Sequence, residues 1–218
     1  MPRRALIERR PWLLASLVFG ISYVFVKDAA LPGLLLTSWK GAGVALLAIY
    51  ALQSVPGPDG RLIAAVMALG ALGDVLIELD TAAGGAAFFA AHAVAIWLYA
   101  RHRRAVVTGS QKLAAVALLI ATPIISYLLP ADRAAALPVA LYALALGGMA
   151  GMAWTSAFPR YRVGIGALLF VASDLLIFAE MGPLAASAIP SLAIWPLYYF
   201  GQFLICTGVV GRLRKPPA

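Results

Sequence analysis

Val163-Gly164-Ile165-Gly166-Ala167-Leu168-Leu169-Phe170-Val171-Ala172-Ser173-Asp174-Leu175-Leu176-Ile177-Phe178-Ala179 decides the fold class. It is an unbroken apolar run between Arg162 and Glu180 with one ionisable side chain, Asp174, inside it. A helix gains about 1.5 Å per residue, so a run of roughly 17–25 such residues crosses about 30 Å of hydrocarbon. The polarity does not alternate along the run, as it would in a strand of a membrane barrel.

The rest of the chain repeats this pattern. Apolar residues make up 63% of the 218, charged ones 12%, and the mean hydropathy is +0.92. Such a chain has too few polar residues to cover the outside of a folded core, and lipid must cover much of it. Reading breaks at charges and at Pro or Gly clusters places eight spans near 11–27, 31–52, 61–80, 82–101, 110–130, 134–156, 160–180 and 187–211. The connections are short, Val55-Pro56-Gly57-Pro58-Asp59-Gly60 being typical, and leave no room for a soluble domain. The expectation is an all-α, polytopic membrane bundle of about eight transmembrane helices, forming a single integral membrane domain over residues 1–218.

Charge distribution tests the span count independently, because Lys and Arg collect on the cytoplasmic loops of a membrane protein. Arg3, Arg4, Arg9, Arg10, Arg61, Arg101, Arg103, Arg104, Lys112, Arg160, Arg162, Arg212, Arg214 and Lys215 fall on one side of the eight-span scheme. Lys27 and Arg133 fall on the other, with Asp28, Glu78, Asp80, Asp132 and Glu180 on or near it. Both termini are therefore expected in the cytoplasm, with a bacterial inner membrane as the provisional address. The net charge of +8 reads as topology and not as a nucleic-acid patch, since the basic residues are dispersed among separate short loops. The Arg-rich start followed by Trp12 to Val26 has the look of a signal peptide, but no small-x-small cleavage site follows, and a retained first span is expected. Cys206 is alone in the last span, so neither an intrachain disulfide nor a thiolate metal site is available.

Charged and strongly polar residues inside a span are costly, about 2.5–3.5 kcal/mol for a charge at the centre of a lipid-facing helix, so they should face the bundle interior and find partners. Six stand out: Lys40, Asp74, His92, Asp174, Tyr198 and Gln202. By topology the first five fall into one layer of the outer or middle membrane, with Gln202 one turn deeper on the face of Tyr198. Each has an ordinary reading. Lys40 neutralises a carboxylate or snorkels; His92, Tyr198 and Gln202 hydrogen-bond between helices; Glu78 is interfacial. The two aspartates are harder to explain by packing, because two short acids at one depth require cations, a shared proton or a raised pKa. Gly70 and Gly73 before Asp74, Gly84 and Gly85 before His92, Gly164 and Gly166 before Asp174, and the pair Gly147 and Gly151 allow close helix approach. Gly73-Asp74-Val75-Leu76-Ile77 is echoed by Ser173-Asp174-Leu175-Leu176-Ile177 in spans of the same direction, which a four-plus-four parallel repeat would explain.

Four segments together resemble a known family. They are Leu69-Gly70-Ala71-Leu72-Gly73-Asp74-Val75-Leu76-Ile77, Phe88-Phe89-Ala90-Ala91-His92, Gly166 through Leu176, and Tyr198-Tyr199-Phe200-Gly201-Gln202. The chain resembles the YhhN-like lysoplasmalogenases from about Lys40 to about Ile205, departing from the usual family pattern at Gly41, where a proline is usual, and at Ala95, where a tyrosine is. The resemblance implies hydrolysis of the vinyl ether bond of lysoplasmalogens to a fatty aldehyde and a glycerophospho-ethanolamine or -choline. Vinyl ethers open through acid, and the chemistry needs a proton donor and a nearby anion. Asp74 and Asp174 are expected to meet in a pocket as acid and cation stabiliser, with His92 shuttling a proton or holding one of them. Tyr198 and Gln202 would bind water or the glycerol hydroxyl, and Lys40 the lipid phosphate. The expected partners are the lysophospholipid substrate and the bilayer; homo-oligomerisation is left open. No cofactor is expected, and no metal, since His92 and His102 are the sole histidines and His102 lies among loop arginines. The rival reading from another class is a small transporter or lipid-binding protein whose Asp, His and Lys relay protons or hold a headgroup. A purely structural subunit is the third.

Overall fold

The structure, a computed structural model, describes residues 10–214. Arg3, Arg4, Arg9 and Lys215, which contribute to the charge asymmetry, lie outside the described residues. Within them the chain forms eight α-helices joined by short turns: α1 Arg10–Val26, α2 Gly33–Ser54, α3 Pro58–Leu76, α4 Thr81–Arg101, α5 Gly109–Leu128, α6 Arg133–Thr155, α7 Ile165–Glu180 and α8 Ile189–Leu213. A π-helical turn, Arg160–Gly164, leads into α7, and the described residues contain no strand beyond an isolated bridge between Arg103 and Ser156. Six helices (α2, α4, α5, α6, α8, and α7 with its leading turn) are long and apolar enough to cross a membrane. Of the other two, α1 is short at 17 residues, and α3 carries Asp59, Arg61 and Asp74. The protein is an integral membrane helical bundle.

Turn chemistry sets the helix ends close to where the breaks in the sequence place them. Gly57 adopts φ 97°, a conformation other residues avoid, and Pro58 then opens α3 in the first helical turn, where its missing N–H costs nothing. Thr108 and Gln111 form a reciprocal cap on α5. Asp132 accepts from the amide of Ala134 at 2.9 Å to cap α6, and Asp80 accepts from that of Ala83 at 2.7 Å at the start of α4. The expected third span, 61–80, is displaced toward the N-terminus, because Pro58 starts the helix early and Ile77–Leu79 form a turn.

The chain divides into two compact units, residues 1–94 with 209–218 and residues 95–208. In the first, α1 is fastened to α2 by Ser16 Oγ donating to the carbonyl of Gly43 at 2.6 Å and by the Trp39 indole donating to Ser22 Oγ at 3.0 Å. Phe19 packs its ring against Trp39 at 5.3 Å. Val44, Leu47, Ile63 and Met67 are wholly buried between α2 and α3. In the second unit, Gly147 and Gly151 of α6 lie against the backbone of Leu118 and Ala115 in α5, the close approach that their spacing allows. Leu14, Val18, Ile21 and Phe25 of α1, and Leu113, Val116, Ile120, Ile124 and Leu128 of α5, are exposed. Apolar stripes of that length fit a surface in contact with lipid.

Candidate functional site

In the first unit Lys40, Asp74 and His92 lie on α2, α3 and α4, which glycines hold close to one another. Gly41, next to Lys40, leaves so little space that a Cβ there would lie 2.8 Å from the Val75 side chain, which is next to Asp74. A Cβ on Gly73 would meet the Phe88 ring at 2.8 Å, and one on Gly84 the backbone of Ile77 at 2.6 Å. Glycine at these positions brings α3 and α4 together on either side of Asp74. Asp74 is 2% exposed, and His92, one turn beyond Phe88 on α4, is also 2% exposed. Tyr23 of α1 lies within electrostatic range of both Asp74 and Glu78.

Lys40 is not an isolated cation. Its Nζ donates to Glu78 Oε1 at 2.6 Å, joining α2 to the turn after α3. The Lys40 side chain is 17% exposed and that of Glu78 43%. This is the carboxylate partner that the ordinary reading of Lys40 anticipates, and its identity could not be read from the sequence.

In the second unit Asp174, 5% exposed, accepts a hydrogen bond from the hydroxyl of Tyr142 on α6, from oxygen to Oδ2 at 2.7 Å. Ser173 beside it donates to the carbonyl of Ile194 on α8 at 3.0 Å. One face further along, α7 and α8 touch through Gly166 and Gly201, where a Cβ on either would lie 2.7 or 2.8 Å from the other's carbonyl oxygen. This crossing carries Tyr198 and Gln202 against α7. The Tyr198 ring meets Phe170 edge-on at 5.1 Å, and Gln202 Nε2 donates weakly to the Tyr198 hydroxyl at 3.4 Å. Gln202 is 1% exposed and its Oε1 has no hydrogen-bond partner among the described residues. A buried carbonyl left so is an acceptor awaiting a donor, a water or a ligand hydroxyl. Tyr198 is also within electrostatic range of Tyr142.

The structure thus groups Lys40 and Asp74 with Glu78 and Tyr23, buries His92 one turn beyond Phe88, and groups Asp174, Tyr198 and Gln202 with Tyr142. Tyr142 and Glu78 are the functional candidates that sequence reasoning passed over. A tyrosine among alanines and leucines in Leu141-Tyr142-Ala143-Leu144 looks like packing, and Glu78 at the end of its helix looks like a headgroup contact. Among the described residues no cluster of three or more His, Cys, Asp or Glu side chains is arranged to hold a metal ion.

The model of the YhhN family matches residues 35–209, four-fifths of the chain and every residue of both clusters except Tyr23. The chain belongs to the YhhN family. This is the family of the lysoplasmalogenases, associated with hydrolase activity, and membership points to a membrane function of that type. No curated protein and no solved structure matches the chain at a significant level.

Proposed function

We propose that this YhhN-family protein hydrolyses the vinyl ether bond of lysoplasmalogens within the membrane, releasing a fatty aldehyde and a glycerophospho-ethanolamine or -choline. The observation that carries the reading is the presence of two aspartates, 2% and 5% exposed, inside the helices of a chain from this family. Buried membrane carboxyl groups are expensive, and packing alone does not call for them.

The chemistry balances without a cofactor. A carboxylic acid delivers its proton to the β-carbon of the alkene, and the ether oxygen shares the positive charge left on the α-carbon. Water adds there and loses a proton to a carboxylate, and the resulting hemiacetal expels the glycerol hydroxyl to leave the aldehyde. Asp74 and Asp174 take the two carboxyl roles. Glycoside hydrolysis meets an oxocarbenium ion with two carboxyl groups in a related way. Gln202 Oε1 and the Tyr198 hydroxyl suit the binding of water or the free glycerol hydroxyl, and His92 a proton-relay role. Lys40 supplies the positive charge for the phosphate.

The decisive experiment incubates purified protein in detergent with a panel of vinyl-ether, saturated-ether and ester lysolipids and follows fatty aldehyde by mass spectrometry. Aldehyde release from the vinyl ethers alone is the expected result. A transporter using the same side chains would make no product in detergent, where no membrane separates two compartments, and that outcome would overturn the reading.

A further inference from the structure

Lys40 and Glu78 place opposite charges side by side, 2.6 Å apart, on two different elements. Neither side chain has another hydrogen bond or ion pair among the described residues. Two ammonium hydrogens of Lys40 and the second oxygen of Glu78 therefore remain for a ligand. With Glu78 nearly half exposed, that capacity is open to the outside, while Asp74, four residues earlier in the last part of α3, is buried. A neighbouring ion pair shows what an ordinary one looks like here. Lys27 and Asp28 are adjacent in sequence, 2.7 Å apart, with Asp28 81% exposed, and they tie no helices together. Exposed pairs of that kind contribute little to stability.

We infer that the Lys40–Glu78 pair is a headgroup site for a zwitterionic lysophospholipid, Lys40 meeting the phosphate and Glu78 the ammonium. A ligand whose anion and cation are separated by a short linker can lie against the pair with its charges reversed, so that all four charges have opposite neighbours. A lipid bearing a phosphate and no cation gains Lys40 but brings its negative charge toward Glu78, which selects against it. Glu78 follows Asp74 by four residues, in the turn that closes α3, so the proposed headgroup site and the buried acid lie at the same end of that helix. The assignment rests on the proposed hydrolysis, since it takes Asp74 to be where the ether lies. It adds to that reading a residue, Glu78, that sets headgroup specificity.

The test is equilibrium binding in detergent with saturated-ether lysolipids, which the protein cannot cleave, one with a phosphoethanolamine headgroup and one with a bare phosphate. For the wild type we expect tighter binding of the phosphoethanolamine lipid. Glu78→Gln should weaken that lipid roughly tenfold while leaving the phosphate lipid equal or tighter, and Lys40→Gln should weaken both. Asp28→Asn, at the ordinary pair, should change neither. Because the single variants also lose a link between helices, the double variant Lys40→Glu, Glu78→Lys keeps an ion pair. If the pair were only structural, this swap would restore wild-type binding and selectivity; we expect it to restore thermal stability alone. Equal effects of Glu78→Gln on the two lipids, or none, would overturn the assignment. Selective binding by a protein that releases no aldehyde from the matching vinyl ether would leave the headgroup site standing and sink the hydrolytic reading instead.

Discussion

The hydroxyl of Tyr142 donates to Oδ2 of Asp174 across 2.7 Å, linking α6 to α7 between residues 32 positions apart. That bond holds the Asp174 carboxyl group in one orientation against α6.

Tyr142→Phe removes that donor without removing the ring, which packs edge-on against Phe178 at 5.9 Å. Loss of a hydrogen bond to a buried acid costs about 1.5–3 kcal/mol, so kcat for aldehyde release should fall roughly ten- to hundredfold with KM little changed. Combining it with Asp174→Glu in a double-mutant cycle should show less than additive loss. Independent, additive effects would mean that Tyr142 acts on packing alone.

Asp74→Asn and Asp174→Asn, made separately, should each lower aldehyde release by roughly a hundredfold or more, the upper part of the range for general acid–base groups. Both keep the size of the side chain, so the detergent-solubilised protein should retain its melting temperature within a few degrees. Full activity in either variant would remove that aspartate from the chemistry.

Gln202→Leu separates stability from function. Burying Oε1 without a partner costs about 1–3 kcal/mol, and an apolar residue of similar size avoids the cost. The variant should melt at or above the wild-type temperature while losing much of its activity, the exchange common at binding sites. A variant that is both less stable and fully active would place Gln202 among ordinary packing residues.

Gly166→Val and Gly201→Val should destabilise the protein by about 1–3 kcal/mol or more, because a Cβ at either position would sit 2.7 or 2.8 Å from a facing backbone oxygen that cannot swing away. Gly85→Ala, where nothing lies within 4 Å of the added atom, is the control and should be neutral. Thermal unfolding in detergent reads both.

Exhaustive chelation should leave aldehyde release unchanged, since the proposed steps use carboxyl groups and water alone. Activity lost on chelation and regained with a divalent ion would call for a different mechanism.

Much of this architecture is legible in the amino-acid order. Lipid exposure demands runs such as Val163–Ala179, and a proline or glycine at a turn, as at Gly57-Pro58, marks where a helix begins, because both effects act between near neighbours. The same cost of burying charge singles out Asp74, His92 and Asp174, all of which the structure buries. The resemblance to the YhhN family, visible in the Gly-Asp and Ser-Asp segments, agrees with the family match.

Partnerships were decided only by tertiary structure. Glu78 for Lys40 and Tyr142 for Asp174 lie 38 and 32 residues away, on other elements, and nothing local specifies which side chain on a facing helix comes within 3 Å. That depends on how closely and at what rotation two helices cross, which is settled by small residues such as Gly41 and Gly73 meeting Val75 and Phe88. Hydropathy is a property of each segment and can be read along the chain. A hydrogen bond between helices is a property of their packing, and it exists only once the chain has folded.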